Sequence, residues 1–338
     1  MPIERVKKAI EEIKKGSMVV MMDDEDRENE GDLVYAGLFS TPQKVNFMAS
    51  MAKGLICVSI TKEAANSFGL KHMVERNDSA YETAFTISVD AKGCTTGISA
   101  YERDDCIQLL SKYDSKPDDF VKPGHIFPLI AKDGGVLERT GHTEGSIDLC
   151  KLAGVYPSGV ICEIMNADGT MARRDDLQIF AKKHNLAIVY VSDLVEYRLR
   201  NECLVKECER EKTLFLNHEC EKIVFSDHLN QHHTVYIFGE IGLNLNVKFH
   251  NIGQDLTLLQ DSTKFNSLLK STEYLAKNSG ALVFMNSHIS HGDKDFGIGA
   301  QILHKLGSKT IKLLTGSAHK SFSALSGFGL AISEVIEI

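Results

Sequence analysis

Over the first two hundred residues, apolar positions come in short blocks separated by stretches of helical pattern. Ile3, Val6, Ile10 and Ile13 recur near helical spacing in a charged opening segment, which predicts an amphipathic helix closed by Gly16. Apolar runs at 18–22, 55–60, 86–89, 160–165 and 187–191 predict short buried strands. Helical patterns at 42–51, 146–153 and 175–184 lie between them, and 193–200 closes the unit. That alternation predicts an α/β fold with α+β character.

The second half differs. Strand patterns fall at 212–216, 222–225, 234–238, 247–250, 281–285 and 310–314, with helices at 264–277 and 298–306. These predict a smaller α+β domain. Between the halves, 201–211 is charged and carries neither strand nor core signal, so a linker is expected there. Domains at 1–200 and 212–338 agree with a length of 338 residues at roughly 150 per domain.

Composition narrows the function classes. The chain has 38 Lys+Arg against 46 Asp+Glu, a net charge of −8, which gives no electrostatic footprint for a nucleic acid or an anionic membrane. No apolar run approaches the roughly 20 residues that span a bilayer, and the N-terminus shows no targeting pattern. Eight scattered cysteines lack a paired framework, so a reduced, cytoplasmic chain is expected.

Most of the charge is local. Asp23-Asp24-Glu25-Asp26-Arg27-Glu28-Asn29-Glu30-Gly31-Asp32 carries seven carboxylates and one Arg, a net −6 within the chain's −8. On composition alone, a solvated acidic loop and a site for a hard divalent cation are both open. The run follows a strand pattern, where α/β sheets place ligand crevices, and it includes an Arg suited to phosphate or carboxylate. A second polar segment, Arg139-Thr140-Gly141-His142-Thr143-Glu144, precedes a strand pattern containing Glu163. Alone it reads as a surface loop with a helix cap at Thr143 or Ser146; beside the acid run it suggests one shared site.

Taken together, these segments resemble the 3,4-dihydroxy-2-butanone 4-phosphate synthase family of the riboflavin pathway. Residues 23–32 resemble its signature. Gly93-Cys94-Thr95-Thr96-Gly97-Ile98-Ser99-Ala100, Pro123-Gly124-His125-Ile126-Phe127-Pro128-Leu129, the 139–144 segment and Cys162-Glu163-Ile164-Met165-Asn166 follow in the family's order. The match covers about residues 1–200, and Cys94 stands where the family usually has a Val- or Thr-like residue.

The resemblance implies a three-layer domain with a mixed sheet, working as a homodimer with sites at the subunit interface. It implies conversion of D-ribulose 5-phosphate to L-3,4-dihydroxy-2-butanone 4-phosphate and formate, with two Mg²⁺ or Mn²⁺ ions per site. The steps are enolisation, dehydration, skeletal rearrangement and loss of formate. Carried over by position, Glu28 and His142 match the metal ligands. Arg27, Asp32, Arg139, Thr140, Gly141, Thr143 and Glu163 match substrate-binding positions. Glu28, Asp32, His142 and Glu163 are the expected catalytic groups, with Cys57 and His125 assisting proton transfer. For Cys57, a small buried hydrophobe in an apolar strand is an equally open reading. Glu25 and Glu30 are expected to support the site without ligation.

The second half resembles GTP cyclohydrolase II near its end, at Asp295-Phe296-Gly297-Ile298-Gly299-Ala300-Gln301-Ile302-Leu303-His304-Lys305-Leu306-Gly307. That family uses three cysteines to hold zinc, yet no cysteine follows Cys220 here. Asn286-Ser287-His288-Ile289-Ser290-His291 replaces an expected catalytic stretch, and Gly316-Ser317-Ala318 replaces another. A degenerate domain without zinc or cyclohydrolase activity is therefore expected. A bifunctional enzyme that also hydrolyses GTP, or a non-catalytic binding or regulatory module, are the alternatives. Cys203, Cys208, His218 and Cys220 have loose zinc-like character, but solvated thiols and imidazoles are the default for them, as for His228, His232 and His233.

Overall fold

The computed structural model describes residues 1–338 except 26, 243, 287–292 and 317–329, and except the side chains of 293–296. Asp26 of the acid run, and the 287–291 and 317–318 replacements, thus lie outside the described residues. The chain divides into two compact units, Met1–Tyr197 and Arg198–Ile338.

In the first unit, seven strands form one sheet: β1 (Val19–Met22), β2 (Gly31–Ala36), β3 (Cys57–Ile60), β4 (Val89–Ala91), β5 (Phe120–Ile130), β6 (Ser158–Glu163) and β7 (Ala187–Tyr190). Their order is β4-β5-β3-β6-β2-β1-β7. β1–β7 and β3–β5 are parallel and the remaining pairs antiparallel, so the sheet is mixed. Residues of β1, β2 and β3 are buried throughout, as expected where helices cover both faces.

The helices are α1 (Pro2–Lys14), α2 (Pro42–Phe47), α3 (Lys62–Ser67), α4 (Ala100–Leu110), α5 (His142–Ala153), α6 (Arg174–His184) and α7 (Val191–Asn201). Pro2 opens α1, and Val6, Ala9, Ile10 and Ile13 form its buried stripe. Along β2 the side chains sort by face. Leu33 and Tyr35 join a core with Val45 of α2, Ile107 of α4 and Leu177 of α6, while Asp32 turns toward the start of α5.

Three elements here have weak sequence signals. β2 begins inside the acid run, so its polar start hides the strand. β5 contains Pro123 and Pro128, which normally argue against a strand. α4 lacks a clear apolar stripe, but Ser99 caps it by accepting from the Glu102 N–H at 3.1 Å.

The second unit has its own mixed sheet: β8 (Val205–Phe215), β9 (His218–Asp227), β10 (His232–Phe238), β11 (Asn244–Asn251), β12 (Gly280–Met285), β13 (Thr310–Thr315) and β14 (Ala331–Glu337). The order is β14-β13-β11-β12-β10-β9-β8, with helices α8 (Asp255–Gln260), α9 (Ser262–Asn278) and α10 (Asp293–Lys305).

The linker expected at 201–211 is corrected here, because most of it is β8. An edge strand can be exposed on nearly every residue, so it shows no apolar alternation. Backbone pairing with β9 holds it, supplemented by Arg210–Glu221 at 2.7 Å and Lys222–Glu211 at 2.9 Å.

Candidate active site

β1 ends at Met22 and the acid turn begins at Asp23, whose carboxylate points inward. It accepts from the Glu28 N–H at 3.2 Å, the Glu30 N–H at 2.8 Å and Arg27 Nη1 at 2.7 Å. Arg27 Nη1 also pairs with Glu28 Oε2 at 2.8 Å. Asp23 thus organises the turn, and the folded run is more than a solvated charge cluster.

The turn runs into β2, where Asp32 lies opposite Glu163 of β6. Asp32 is fully buried, and its Oδ1 has no hydrogen-bond partner. Burial, then the charges of Glu163 and Glu28, push its pKa well above the ordinary carboxylate range. Burial likewise raises Glu163, against the stabilising N–H of Leu55 that donates to Oε2 at 2.8 Å.

His142 opens α5 beside them. Its Nδ1 lies 3.8 Å from Asp32 Oδ1 and 3.9 Å from Glu28 Oε2, while its Nε2 is buried without a partner. Burial lowers its pKa despite Asp23 and Glu28, which favours the neutral imidazole that can ligate a metal. Asp23, Glu28 and His142 offer ligand atoms all within 4.8 Å of one another. Among the described residues, this is the one His/Cys/Asp/Glu group so arranged. Carboxylate oxygens, one imidazole and two orphaned buried polar atoms fit a divalent cation.

The 139–144 segment flanks this group. Gly141 is the N-cap of α5 and supplies no capping side chain, so the start of the helix lacks a side-chain acceptor from its own cap. A Cβ at Gly141 would lie 2.2 Å from Arg139 Nη1, so glycine is needed for Arg139 to lie against the turn. Arg139 donates to Glu144 Oε2 at 2.6 Å, to the Tyr81 carbonyl and to Thr83 Oγ1. Most of its donors are therefore engaged by the protein. Thr143 is buried in the first turn of α5, and Thr140 is half-buried just before it.

Cys57 begins β3. Its thiol is pushed well above the usual range by burial, then by Glu163 and Asp32, so it is a protonated S–H close to the carboxylates. His125, on β5, is held by Asp90: its N–H donates to Oδ1 and its Nδ1 meets Oδ2, both at 2.8 Å. Gly97 packs on this pair, since a Cβ there would lie 2.5 Å from His125 Nδ1. Cys57 pairs with Phe127 on one side and Ile161 on the other. In the sheet order β5-β3-β6-β2, the strand of His125 lies three strands from that of Asp32. At normal strand spacing that is about 14 Å. Among the described residues, no contact joins His125 to Glu28, Asp32 or His142.

Sequence reading did not single out Asp23, Glu144, Tyr81 or Arg173. Asp23 was one acid among seven, and Glu144 appeared only as the last residue of a motif. Tyr81 sits in a polar loop with no periodic signal. Arg173 precedes α6 and reads as an ordinary helix-start cation.

Residues 7–197 match the family model for 3,4-dihydroxy-2-butanone 4-phosphate synthase, and residues 287–337 match that for GTP cyclohydrolase II. A 3,4-dihydroxy-2-butanone 4-phosphate synthase from Wolinella succinogenes is 56% identical, covering 99% of this chain and 97% of that protein. Among solved structures, RibBX, a two-domain 3,4-dihydroxy-2-butanone 4-phosphate synthase from A. baumannii, is similar at a TM-score of 0.86 and 39% identity. That likeness covers 98% of this chain and 99% of the other. A 3,4-dihydroxy-2-butanone 4-phosphate synthase in complex with two magnesium ions is 38% identical, with a TM-score of 0.57, over 58% of this chain and 97% of that one.

Proposed function

The chain belongs to the 3,4-dihydroxy-2-butanone 4-phosphate synthase family and has that activity in riboflavin biosynthesis, and we propose that its chemistry runs on the cluster of Glu28, Asp32, His142 and Glu163. It is a divalent-metal-dependent enzyme acting on a small sugar phosphate.

Glu28 and His142 would hold Mg²⁺ or Mn²⁺, two ions per site, a reading supported by the relative solved in complex with two magnesium ions. When bound, a divalent cation neutralises negative charge that develops on vicinal oxygens of the sugar. The start of α5, with the Thr143 hydroxyl and the Arg139 charge, takes the phosphate of D-ribulose 5-phosphate, and Thr140 and Gly141 shape that pocket. Arg27, whose guanidinium pairs with Asp23 and Glu28, completes the substrate-binding set.

Asp32 and Glu163 face each other over the position left for the sugar's hydroxyl-bearing carbons, where one can hold a proton while the other accepts one. The Cys57 S–H stays protonated beside Glu163 and donates rather than attacks. His125 is too far along the sheet to serve the same cluster. In a homodimer with sites at the subunit interface, a second copy supplies that imidazole. We place the enzyme in the cytoplasm and the second unit outside GTP hydrolysis, since no cysteine follows Cys220 to hold zinc.

The observation that carries this reading is the convergence of Glu28 and His142 with two buried, unpartnered polar atoms, Asp32 Oδ1 and His142 Nε2. The experiment is formate release from ribulose 5-phosphate with Mg²⁺. Glu28→Gln and His142→Asn should each abolish it; near-normal turnover in either variant removes that residue from the ligand set. Incubation with GTP and Zn²⁺ should release none.

A further inference from the structure

Three consecutive backbone carbonyls of the acid turn are held by side chains from two distant segments. Tyr81 Oη donates to the carbonyl of Arg27 at 2.7 Å. Arg173 Nη1 donates to the carbonyls of Glu28 and Asn29, both at 2.6 Å. On the amide side, the Asp23 carboxylate takes the N–H groups of Glu28 and Glu30. Glu28 is therefore gripped at both its N–H and its C=O, and its side chain is aimed at His142. Asn29, the next residue, is in the left-handed region at φ 54°, an uncommon conformation for a residue other than glycine that the clamp helps to hold.

We propose that Arg173, with Tyr81 as its counterpart on Arg27, is a positioning residue that fixes the Glu28 carboxylate for metal binding. This rests on the reading of Glu28 as a ligand. Neither side chain reaches the cation: both act through the turn's backbone. Short hydrogen bonds from a charged donor are the strong kind, and two converge here on adjacent carbonyls. Tyr81 is itself fixed, because Arg139 holds its carbonyl and the Arg27 guanidinium lies 5.1 Å from its ring centroid.

A purely electrostatic role makes the opposite prediction. Arg173 also lies 3.7 Å from Glu30, so it is a cation beside the proposed metal site. Removing a positive charge alone would strengthen attraction for a divalent cation. Removing a positioning residue weakens binding, because the carboxylate is no longer held in place. Arg174 supplies the baseline: it pairs with Glu25 at 3.2 Å, and among the described residues no hydrogen bond joins it to the carbonyls of residues 27–29.

The test is Mn²⁺ binding to the full-length protein without substrate, read from the spin-resonance signal of free Mn²⁺, alongside Mg²⁺ activation of formate release. Arg173→Met should raise the Mn²⁺ dissociation constant about tenfold or more, the usual range for groups that orient a ligand. Arg173→Lys should recover part of that loss, and Arg174→Met should leave affinity unchanged or tighter. At saturating Mg²⁺, the KM for ribulose 5-phosphate should change less than the metal requirement does. Unchanged or tighter Mn²⁺ binding in folded Arg173→Met overturns the proposal. Should that variant not fold, Tyr81→Phe, which loses one hydroxyl and no charge, should also weaken Mn²⁺ binding, and unchanged binding in it overturns the proposal. Glu28→Gln run in parallel separates the two readings: if it binds Mn²⁺ normally, the ligand assignment fails, and if only it loses Mn²⁺, the positioning role fails.

Discussion

Asp32 on β2 and Glu163 on β6 stand directly opposite each other across an antiparallel register, and His142 at the start of α5 closes over the Asp32 end of that pair. Two carboxylates in such a position repel each other, and burial removes the water that would screen them. The fold gives up stability at this point to keep two carboxyl groups together.

Asp32→Asn should therefore separate activity from stability. The folded pKa of Asp32 lies above its unfolded value, so its ionised form at neutral pH opposes folding, and an amide removes that cost. The melting temperature of the metal-free protein should rise by about 2–4 °C. Turnover should fall by about 10²–10⁴-fold, as for loss of a proton-transfer group. Differential scanning calorimetry and a formate assay read the two effects. A lower melting temperature, or retained turnover, contradicts the account.

Gly54→Ala should disable the site from behind. A Cβ at residue 54 would lie 2.3 Å from the Glu163 carbonyl oxygen and 2.6 Å from its Oε2. The β6 backbone at Glu163 and its carboxylate must both shift, and displacement of a reacting group by about 1 Å costs roughly 10²-fold in rate. We expect kcat to fall by that order with the fold intact by circular dichroism. Wild-type kcat in a folded variant would show that Glu163 is not held where the reaction needs it.

Much of this site is legible in the chain, and the parts that are not share a cause. Glu28 and His142 stand out because motifs in one family's order carry them, while each segment alone reads equally well as a polar surface loop. Tyr81 and Arg173 act on backbone carbonyls some fifty and one hundred and forty-five residues away, and no local pattern encodes such a partner. The same holds for the fold. β1 declares itself by an apolar run, whereas β8 is an exposed edge whose pairing is written in backbone hydrogen bonds and cross-strand charges. The acid run illustrates both sides: its charge is obvious, but the inward turn of Asp23 that shapes it is visible only in the fold.

Acid should loosen the 93–99 loop selectively. Glu102 accepts from the Thr95 hydroxyl and N–H, from the Gly97 N–H and from Ser99 Oγ, which pull its pKa down to about 2. A folded pKa below the unfolded one contributes stability that is complete above the ordinary carboxylate range near 4.5 and is lost as pH falls toward 2. Glu102→Gln should thus be less stable than wild type at pH 7, with the gap narrowing below pH 4.5 or so. Because the carboxylate is exposed, solvent keeps the gap small. Amide hydrogen exchange at residues 95 and 97 reads the effect locally. A gap that widens in acid has the wrong sign for this network.

Complementation between two inactive variants tests where His125 works. Its imidazole, tied to Asp90, stands on a strand about three strand spacings from that of Asp32, too far for one copy to use both on one substrate carbon. If each site joins the Glu28 cluster of one subunit to His125 of the other, Glu28→Gln and His125→Ala homodimers are each inactive at every site. A mixed dimer then places both changes in one site and leaves the other site whole. Random subunit exchange makes half of the dimers mixed, so about a quarter of all sites should regain function. Unfolding and refolding the two variants together, then measuring formate release, should show that recovery, while either variant refolded alone shows none. No recovery on mixing, with mixed dimers verified by differently tagged subunits, would place His125 and Glu28 in service of the same subunit's site or leave His125 without a catalytic part.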